Sequence, residues 1–295
     1  MLTQKKQSSL GIGVVGFVLL ATALFIPYDN KVAFLSLSFA LMTVGGMLYF
    51  RTVYGTALAG IKNDGVWFSA LTTRGLSGWI LGLLLTAFYI AIYWYPELLG
   101  YNAQGQSTGM VALFDPLSYL LNGKAATQWF LYGTLYTFAI LLFGVKFIWK
   151  YWGQRYQLFR TLSVMFFQLC FAFILPELLA KLNPETPYFA KDLKNMWPLN
   201  YYFFDQWHLK NLLDGGNLGL FFLIFGLVMI FILSPLLTYR YGKRWYCSWV
   251  CGCGALAETA GDPFRQLSSK KISVWKFERW MIHAVLVFVL VTTVA

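Results

Sequence analysis

The chain has 295 residues, of which 58% are hydrophobic and only 12% carry a charge. A soluble domain has roughly 25% charged residues, so this composition argues against a soluble enzyme and predicts an integral membrane protein. The net charge of +11 is spread over several loops rather than gathered in one patch, which argues against a nucleic-acid partner.

Seven apolar runs follow one another along the chain, each near the length of about 20 residues that a bilayer core requires. The sequence therefore predicts an all-α, polytopic transmembrane bundle of about seven helices. The first run follows Lys5 and Lys6 without a convincing cleavage site and is read as a signal anchor. The last has 16 residues and ends abruptly, so we expect a truncated chain. The runs are 10–27, 32–50, 76–95, 128–152, 161–180, 218–239 and 280–295.

The basic residues predict the orientation of this bundle. With the N-terminus in the cytoplasm, 17 of the 23 basic residues fall on the inside, as the positive-inside rule requires. There they meet anionic lipid headgroups. We expect a multi-pass protein of a bacterial inner membrane. Its predicted parts are a six-helix region (1–239), a cytoplasmic cysteine loop (240–279) and a seventh, incomplete helix (280–295).

Two long outer loops, 96–127 and 181–217, contain apolar and aromatic stretches that predict helices at the level of the lipid headgroups. Simple anchoring is one interpretation, and a docking surface or a quinone entrance is the other. For Glu177, one interpretation is a residue that anchors its helix at the membrane interface, and the other is a residue on an exit path for protons. The remaining acidic residues are expected on a solvated outer surface: Asp115, Glu185, Asp192, Asp205 and Asp214.

The strongest chemical signal is the motif C-x3-C-x-C formed by Cys247, Cys251 and Cys253. Cytoplasmic cysteines stay reduced, and thiolates suit iron–sulfur clusters, zinc or cuprous copper. The paired C-x2-C spacing typical of zinc is absent, so an iron–sulfur cluster is favoured over zinc. The alternative to a metal site is that the three cysteines are small residues in a tight loop. Nearby glycine amides and basic side chains would stabilise thiolates: Gly252, Gly254, Lys243, Arg244 and Arg265.

Residues 239–265, with C-x3-C-x-x-G-A-L-x-E after a basic aromatic stretch, resemble the membrane polyferredoxin family of the NosR/NapH type. This resemblance implies a 4Fe–4S cluster and electron exchange between quinone, or a flavin, and a partner redox protein. Gly252 stands where the family has proline, and Cys253 is an additional cysteine. The ferredoxin-like motifs that usually accompany the family are not found in these 295 residues.

A cluster needs a fourth ligand, and the chain offers few candidates. Cys170 lies in the fifth apolar run and is otherwise a small buried residue. His283 lies one turn into the seventh run and could serve as a ligand or proton relay. His208, in the outer loop, is expected at the interface, with a quinone or partner contact as the alternative.

Two functions from different classes follow. The first is a membrane-embedded electron-transfer subunit, a carrier rather than a stand-alone enzyme, which exchanges electrons with quinone or with other redox or membrane subunits. The second is a redox-inactive scaffold or assembly subunit whose cysteine loop binds zinc or copper or docks a partner. A transporter is a third, weaker option. Transporters often have broken helices near the bilayer midplane, and here only the prolines near two helix ends suggest such breaks.

Overall fold

The computed structural model describes residues 2–54, 75–102, 104–184, 202–242, 244–262 and 271–294. Within these residues the regular structure is helical, apart from a single antiparallel bridge between Tyr101 and Ser107. All seven predicted apolar runs fall in helices. The longer helices are α1 (Leu2–Thr22), α2 (Lys31–Tyr54), α3 (Gly75–Trp94), α4 (Gln128–Lys150), α5 (Arg155–Leu182), α6 (Gly216–Tyr241) and α7 (Ile272–Val294).

Four stretches of the described chain are long and apolar enough to cross a membrane: Lys31–Thr52, Gln128–Lys150, Arg155–Leu182 and Gly216–Tyr241. A shorter apolar helix covers Gly82–Trp94. The prediction of an all-α transmembrane bundle is confirmed. The count of seven crossings and the cytoplasmic N-terminus stay predictions.

Helices α1 and α2 pack closely because glycines face each other. A Cβ atom added to Gly45 would lie 2.3 Å from the backbone nitrogen of Gly13, and one added to Gly16 would lie 2.7 Å from the carbonyl oxygen of Ser38. Small residues allow helix backbones in membranes to approach in this way. Gly13, Gly16 and Gly45 therefore hold α1 and α2 close together.

The first outer loop is packed into the bundle. It forms the short helices Gly109–Ala112 and Asp115–Leu121, and Val111 and Phe114 are fully buried. Asp115, expected on a solvated surface, is buried as well. Its carboxylate accepts hydrogen bonds from Lys31 Nζ and Ser107 Oγ, both at 2.8 Å. The expectation of a solvated Asp115 is wrong because these partners compensate its burial.

The described part of the second outer loop contains the helix Gln206–Asp214. His208 is fully buried beside Phe203, so its expected interfacial position is wrong. Its Nδ1 lies 3.1 Å from the carbonyl oxygen of Phe203. Glu177 is also buried and accepts a hydrogen bond of 2.7 Å from Asn122 Nδ2. Glu185 and Asp192 lie outside the described residues.

Candidate metal centre

The cysteine motif spans a tight turn, which we call the cysteine turn, between two short helices. Cys247 lies in the first helix, Trp245–Trp249, and Cys253 lies in the second, Gly252–Thr259, which we call the loop helix. Cys251 immediately precedes the loop helix with an extended backbone. A Cβ atom on Gly254 would lie 1.9 Å from the carbonyl oxygen of Cys247. Only glycine allows this approach, which brings the start of the loop helix against the backbone of Cys247.

The loop helix runs beside α4 in the same direction, and its cysteine end reaches the middle of that span. Tyr136 contacts Cys253, Ile140 packs with Ala255, and Lys146 bonds to Thr259 near the end of α4. Tyr136 precedes Lys150 by 14 residues, about 21 Å along a helix. The sequence predicts this loop at the cytoplasmic surface, and that stays a prediction; the structure places the cysteine end of the loop helix beside the middle of α4.

A buried ion pair holds the far end of the loop. Lys150 Nζ lies 2.5 Å from Asp262 Oδ2, with each side chain only 1% exposed. The hydroxyl of Tyr151 donates to the other oxygen of Asp262 at 3.0 Å. Burial alone would raise the pKa of Asp262, but Lys150 and the Tyr151 hydroxyl outweigh burial and lower that pKa below its usual value.

Two further cationic side chains bind the same end of the loop. Lys146 Nζ donates to the carbonyl oxygen of Thr259 at 3.0 Å, where the helix presents unpaired carbonyls and negative partial charge. Arg160, on α5, forms an ion pair with Glu258. The loop helix is therefore fastened to both α4 and α5. Lys146 and Arg160, which the sequence analysis used only as charges that orient the bundle, each have a specific partner on the loop helix.

The N-terminal end of the loop helix sits in a pocket of side chains from α4 and α5. A Cβ atom added to Gly252 would lie 2.7 Å from Gln168 Oε1, 2.8 Å from Tyr136 and 2.9 Å from Ile140. Gln168 Nε2 donates to Thr137 Oγ1 at 3.1 Å. Gln168 belongs to a π-helical segment of α5, a feature that often marks functional positions.

The sulfur atoms of Cys251 and Cys253 are hydrogen-bonded to each other. The hydroxyl of Tyr136 donates to Cys253 Sγ at 3.3 Å. The hydrogen bond from Cys251, followed by that from Tyr136, lowers the pKa of the Cys253 thiol, while the same bond to Cys253 and burial raise that of Cys251. The predicted contributors Lys243 and Arg265 lie outside the described residues.

The donor set fits an iron–sulfur cluster in kind, since three free thiols lie within seven residues and thiolates are the usual cluster ligands. In number it is incomplete. The described residues contain no group of three or more cysteine, histidine or acidic side chains able to hold a metal ion. Cys251 is half-buried, whereas Cys247 and Cys253 are both exposed, and the three have not joined in such a group.

The two candidates for a fourth ligand lie elsewhere. Cys170 lies in the π-helical segment of α5, two residues after Gln168, and is half-buried. Since Gln168 faces the loop, a residue two positions later lies on another side of the helix. His283 is an exposed side chain of α7. Within the part of the chain that is described, neither joins the loop cysteines in a metal-binding group.

Sequence reasoning missed Tyr136, Gln168 and the partners that fasten the loop. A usable signal was present, because polar side chains within apolar membrane segments are costly and often functional. Tyr136 and Gln168 interrupt two such segments, and Lys146 and Lys150 are spaced to share one helix face. Their connection with the cysteines, more than 75 residues away in the sequence, required the tertiary structure.

Comparison with known proteins supports the chemistry of this region. A family model described as a 4Fe-4S binding domain matches residues 220–274. That range covers most of α6, the cysteine turn and the loop helix. Neither the curated proteins nor the solved structures contain a match to the chain. The match supports an iron–sulfur binding protein, and with the apolar helices it is consistent with a membrane electron-transfer protein.

Proposed function

We propose that the chain is a membrane-embedded electron-transfer subunit that binds a 4Fe–4S cluster through Cys247, Cys251 and Cys253. The observation that carries the proposal is the position of the cysteine turn, within the matched range 220–274 and fastened between two candidate membrane spans. A mere surface loop would not need three cationic side chains and a buried ion pair to hold it there.

When bound, a cluster of this kind supplies one-electron redox chemistry whose potential depends on burial and on hydrogen bonds to sulfur. The protein supplies those conditions. Tyr136 donates to Cys253, and the packing around Gly252 excludes water from one side of the turn. Lys150 and Asp262 fix the far end of the loop. The fourth ligand remains to be found, with His283 and Cys170 as the candidates in this chain.

Anaerobic purification followed by iron and acid-labile sulfide analysis tests the proposal. We expect iron and sulfide in equal amounts and a paramagnetic signal after reduction. Cys251→Ser should remove the bound iron and sulfide together with the paramagnetic signal, because it removes one of the proposed ligands. Cys170→Ser and His283→Ala test the two candidates for the fourth ligand, and replacement of the residue that serves as ligand should lower the iron content. Protein that stays free of iron after reconstitution with iron and sulfide would refute the proposal.

A cuprous-copper site is the second candidate, because the structure brings together two sulfurs, those of Cys251 and Cys253. Cuprous ion is a soft metal that binds thiolates. This site belongs to the alternative in which the protein is a redox-inactive scaffold or assembly subunit. Stoichiometric copper without sulfide, lost in Cys253→Ser but kept in Cys247→Ser, would favour it over the cluster.

The wider setting is also part of the proposal. We propose a role similar to that of NosR/NapH-type proteins, in which the subunit exchanges electrons with quinone or a partner redox protein in a bacterial inner membrane. The resemblance over residues 239–265 supports this role. Reoxidation of the reduced protein by a soluble quinone, measured by loss of the paramagnetic signal, tests the quinone arm. A rate equal to that of spontaneous reoxidation would exclude it.

A further inference from the structure

A continuous line of aromatic rings begins at the cysteine turn. Neighbouring ring centroids along it lie 5.6, 6.4, 4.7 and 4.9 Å apart. These values fall within the range of about 4.5–7 Å for aromatic side chains in contact. We call this line the aromatic row; starting from the turn, it comprises Tyr136, Tyr132, Tyr89, Tyr93 and Trp129.

The two ends of the aromatic row differ in their surroundings. Tyr136 donates a hydrogen bond to Cys253 Sγ at 3.3 Å. Trp129, at the other end, is 48% exposed. Trp129 precedes Tyr136 by seven positions, which correspond to about 10 Å along α4. The aromatic row therefore connects Cys253, which lies beside the middle of α4, with an exposed indole near the start of that helix.

Aromatic residues near helix ends are explained by the membrane interface, where tryptophan and tyrosine are enriched. That explanation covers Trp129 but not Tyr132 and Tyr136, which lie about one and two turns further along the span. A hydroxyl at that depth costs free energy that phenylalanine would avoid. The hydroxyl of Tyr136 is used, since it bonds to Cys253.

We propose that the aromatic row carries one-electron oxidising equivalents away from Cys253 to the exposed indole of Trp129. A one-electron oxidant, such as an oxygen-derived radical, takes a hydrogen atom from the Cys253 thiol: the S–H bond breaks, the oxidant is reduced and a thiyl radical remains. Tyr136 then transfers a hydrogen atom along its hydrogen bond. The O–H bond of Tyr136 breaks, an S–H bond forms, Cys253 is reduced by one electron and Tyr136 becomes a tyrosyl radical.

In each later step, a neighbouring member of the aromatic row gives one electron and one proton to the radical residue. The proton comes from a tyrosine hydroxyl or, in the last step, from the indole N–H of Trp129. The radical residue is restored and its neighbour takes its place, until Trp129 has lost its indole hydrogen. A soluble one-electron donor of the ascorbate class returns that hydrogen atom to Trp129. The net reaction reduces the oxidised thiol at the expense of the soluble donor. It operates in the form of the protein in which Cys253 is not bound to a cluster, and its test does not depend on the proposed electron-transfer function.

The test uses full-length protein carrying Cys170→Ser, Cys247→Ser and Cys251→Ser, so that Cys253 is the single thiol. S-nitrosoglutathione converts it to the S-nitroso form, and light then splits the S–N bond to give the thiyl radical and nitric oxide. We expect an electron paramagnetic resonance signal of a tyrosyl radical, which narrows in protein grown on ring-deuterated tyrosine.

Tyr136→Phe keeps the ring but removes the transferable hydrogen, so the tyrosyl signal should be lost. Tyr246→Phe is the matched control, because Tyr246 also lies near the cysteines but outside the aromatic row. It should leave the signal unchanged. A tyrosyl signal that survives Tyr136→Phe, or that disappears in Tyr246→Phe instead, overturns the proposal.

A second measurement keeps all four cysteines and so does not depend on the triple variant folding. Protein is exposed to hydroxyl radicals in the presence of ascorbate, and sulfinic and sulfonic acids at Cys253 are quantified by peptide mass spectrometry. Tyr136→Phe should increase these irreversible products at Cys253, and Tyr246→Phe should not. Equal oxidation in the two variants and the unmodified protein contradicts the proposed route.

Discussion

The buried pair of Lys150 and Asp262 offers the sharpest test of how the cysteine turn is held. Both side chains are 1% exposed, so Asp262→Asn leaves a buried ammonium without its counter-charge. Removing one partner of such a pair typically costs about 3–5 kcal/mol. If this cost falls on local opening of the loop helix, the open population increases by roughly 10²- to 10⁴-fold.

The assay is the rate at which a maleimide labels half-buried Cys251 in lipid nanodiscs, with the other three cysteines replaced by serine. Glu258→Gln is the matched control, because the Glu258 side chain is 34% exposed and more exposed pairs contribute about 0–1 kcal/mol. It should change the rate less than about fivefold. Similar rates in Asp262→Asn and Glu258→Gln would refute the reasoning.

Replacing the pair as a whole gives a further check. Lys150→Met combined with Asp262→Leu removes both charges together, and such replacements are often neutral or stabilising. We expect the labelling rate of Cys251 in this double variant to fall back to that of protein with the intact pair. If the double variant labels as fast as Asp262→Asn, the effect comes from altered packing rather than from an unpaired charge.

The same pair predicts a pH dependence. Because the folded-state pKa of Asp262 is lowered, its contribution is complete above the unfolded pKa of about 3.9. It is lost as the pH falls through the folded-state pKa. The melting temperature in detergent should therefore decline in this acidic range, and Asp262→Asn should flatten that part of the profile. An unchanged profile in the variant would contradict the assignment.

Two glycine substitutions test close backbone contacts. Gly254→Ala should lower the iron content of reconstituted protein sharply, because its Cβ would lie 1.9 Å from the carbonyl oxygen of Cys247; iron content equal to the unmodified protein would contradict this geometry. Gly45→Ala should destabilise the protein by about 1–3 kcal/mol through its clash with Gly13, measured as a lower melting temperature. Gly11→Ala, with nothing within 4 Å of its added Cβ, is the matched control.

Much of the fold was predictable because apolar run length is a direct consequence of bilayer thickness. The runs around 32–50, 128–152, 161–180 and 218–239 became candidate spans of nearly the predicted extent. The composition of residues 254–261 favours the loop helix as well, and Asp262-Pro263 favours its end. These features depend on neighbouring residues in the sequence, so a single sequence is sufficient to find them.

The buried acidic residues show where such reasoning stops. Asp115 was assigned to a solvated surface because carboxylates are seldom fully buried without a partner. Its partner Lys31 lies 84 residues away, and nothing in the local pattern indicates that they meet. The same holds for Lys150 and Asp262, separated by 112 residues.

The sequence by itself determined the class of this protein and its reactive groups: a helical membrane protein with Cys247, Cys251 and Cys253 as soft ligands in one short motif. Only the tertiary structure decided the depth of those thiols and their neighbours. The loop helix packs along α4 because Lys146 on α4 binds the carbonyl oxygen of Thr259 and Lys150 pairs with Asp262. This packing places Cys253 against Tyr136, and through it against the aromatic row.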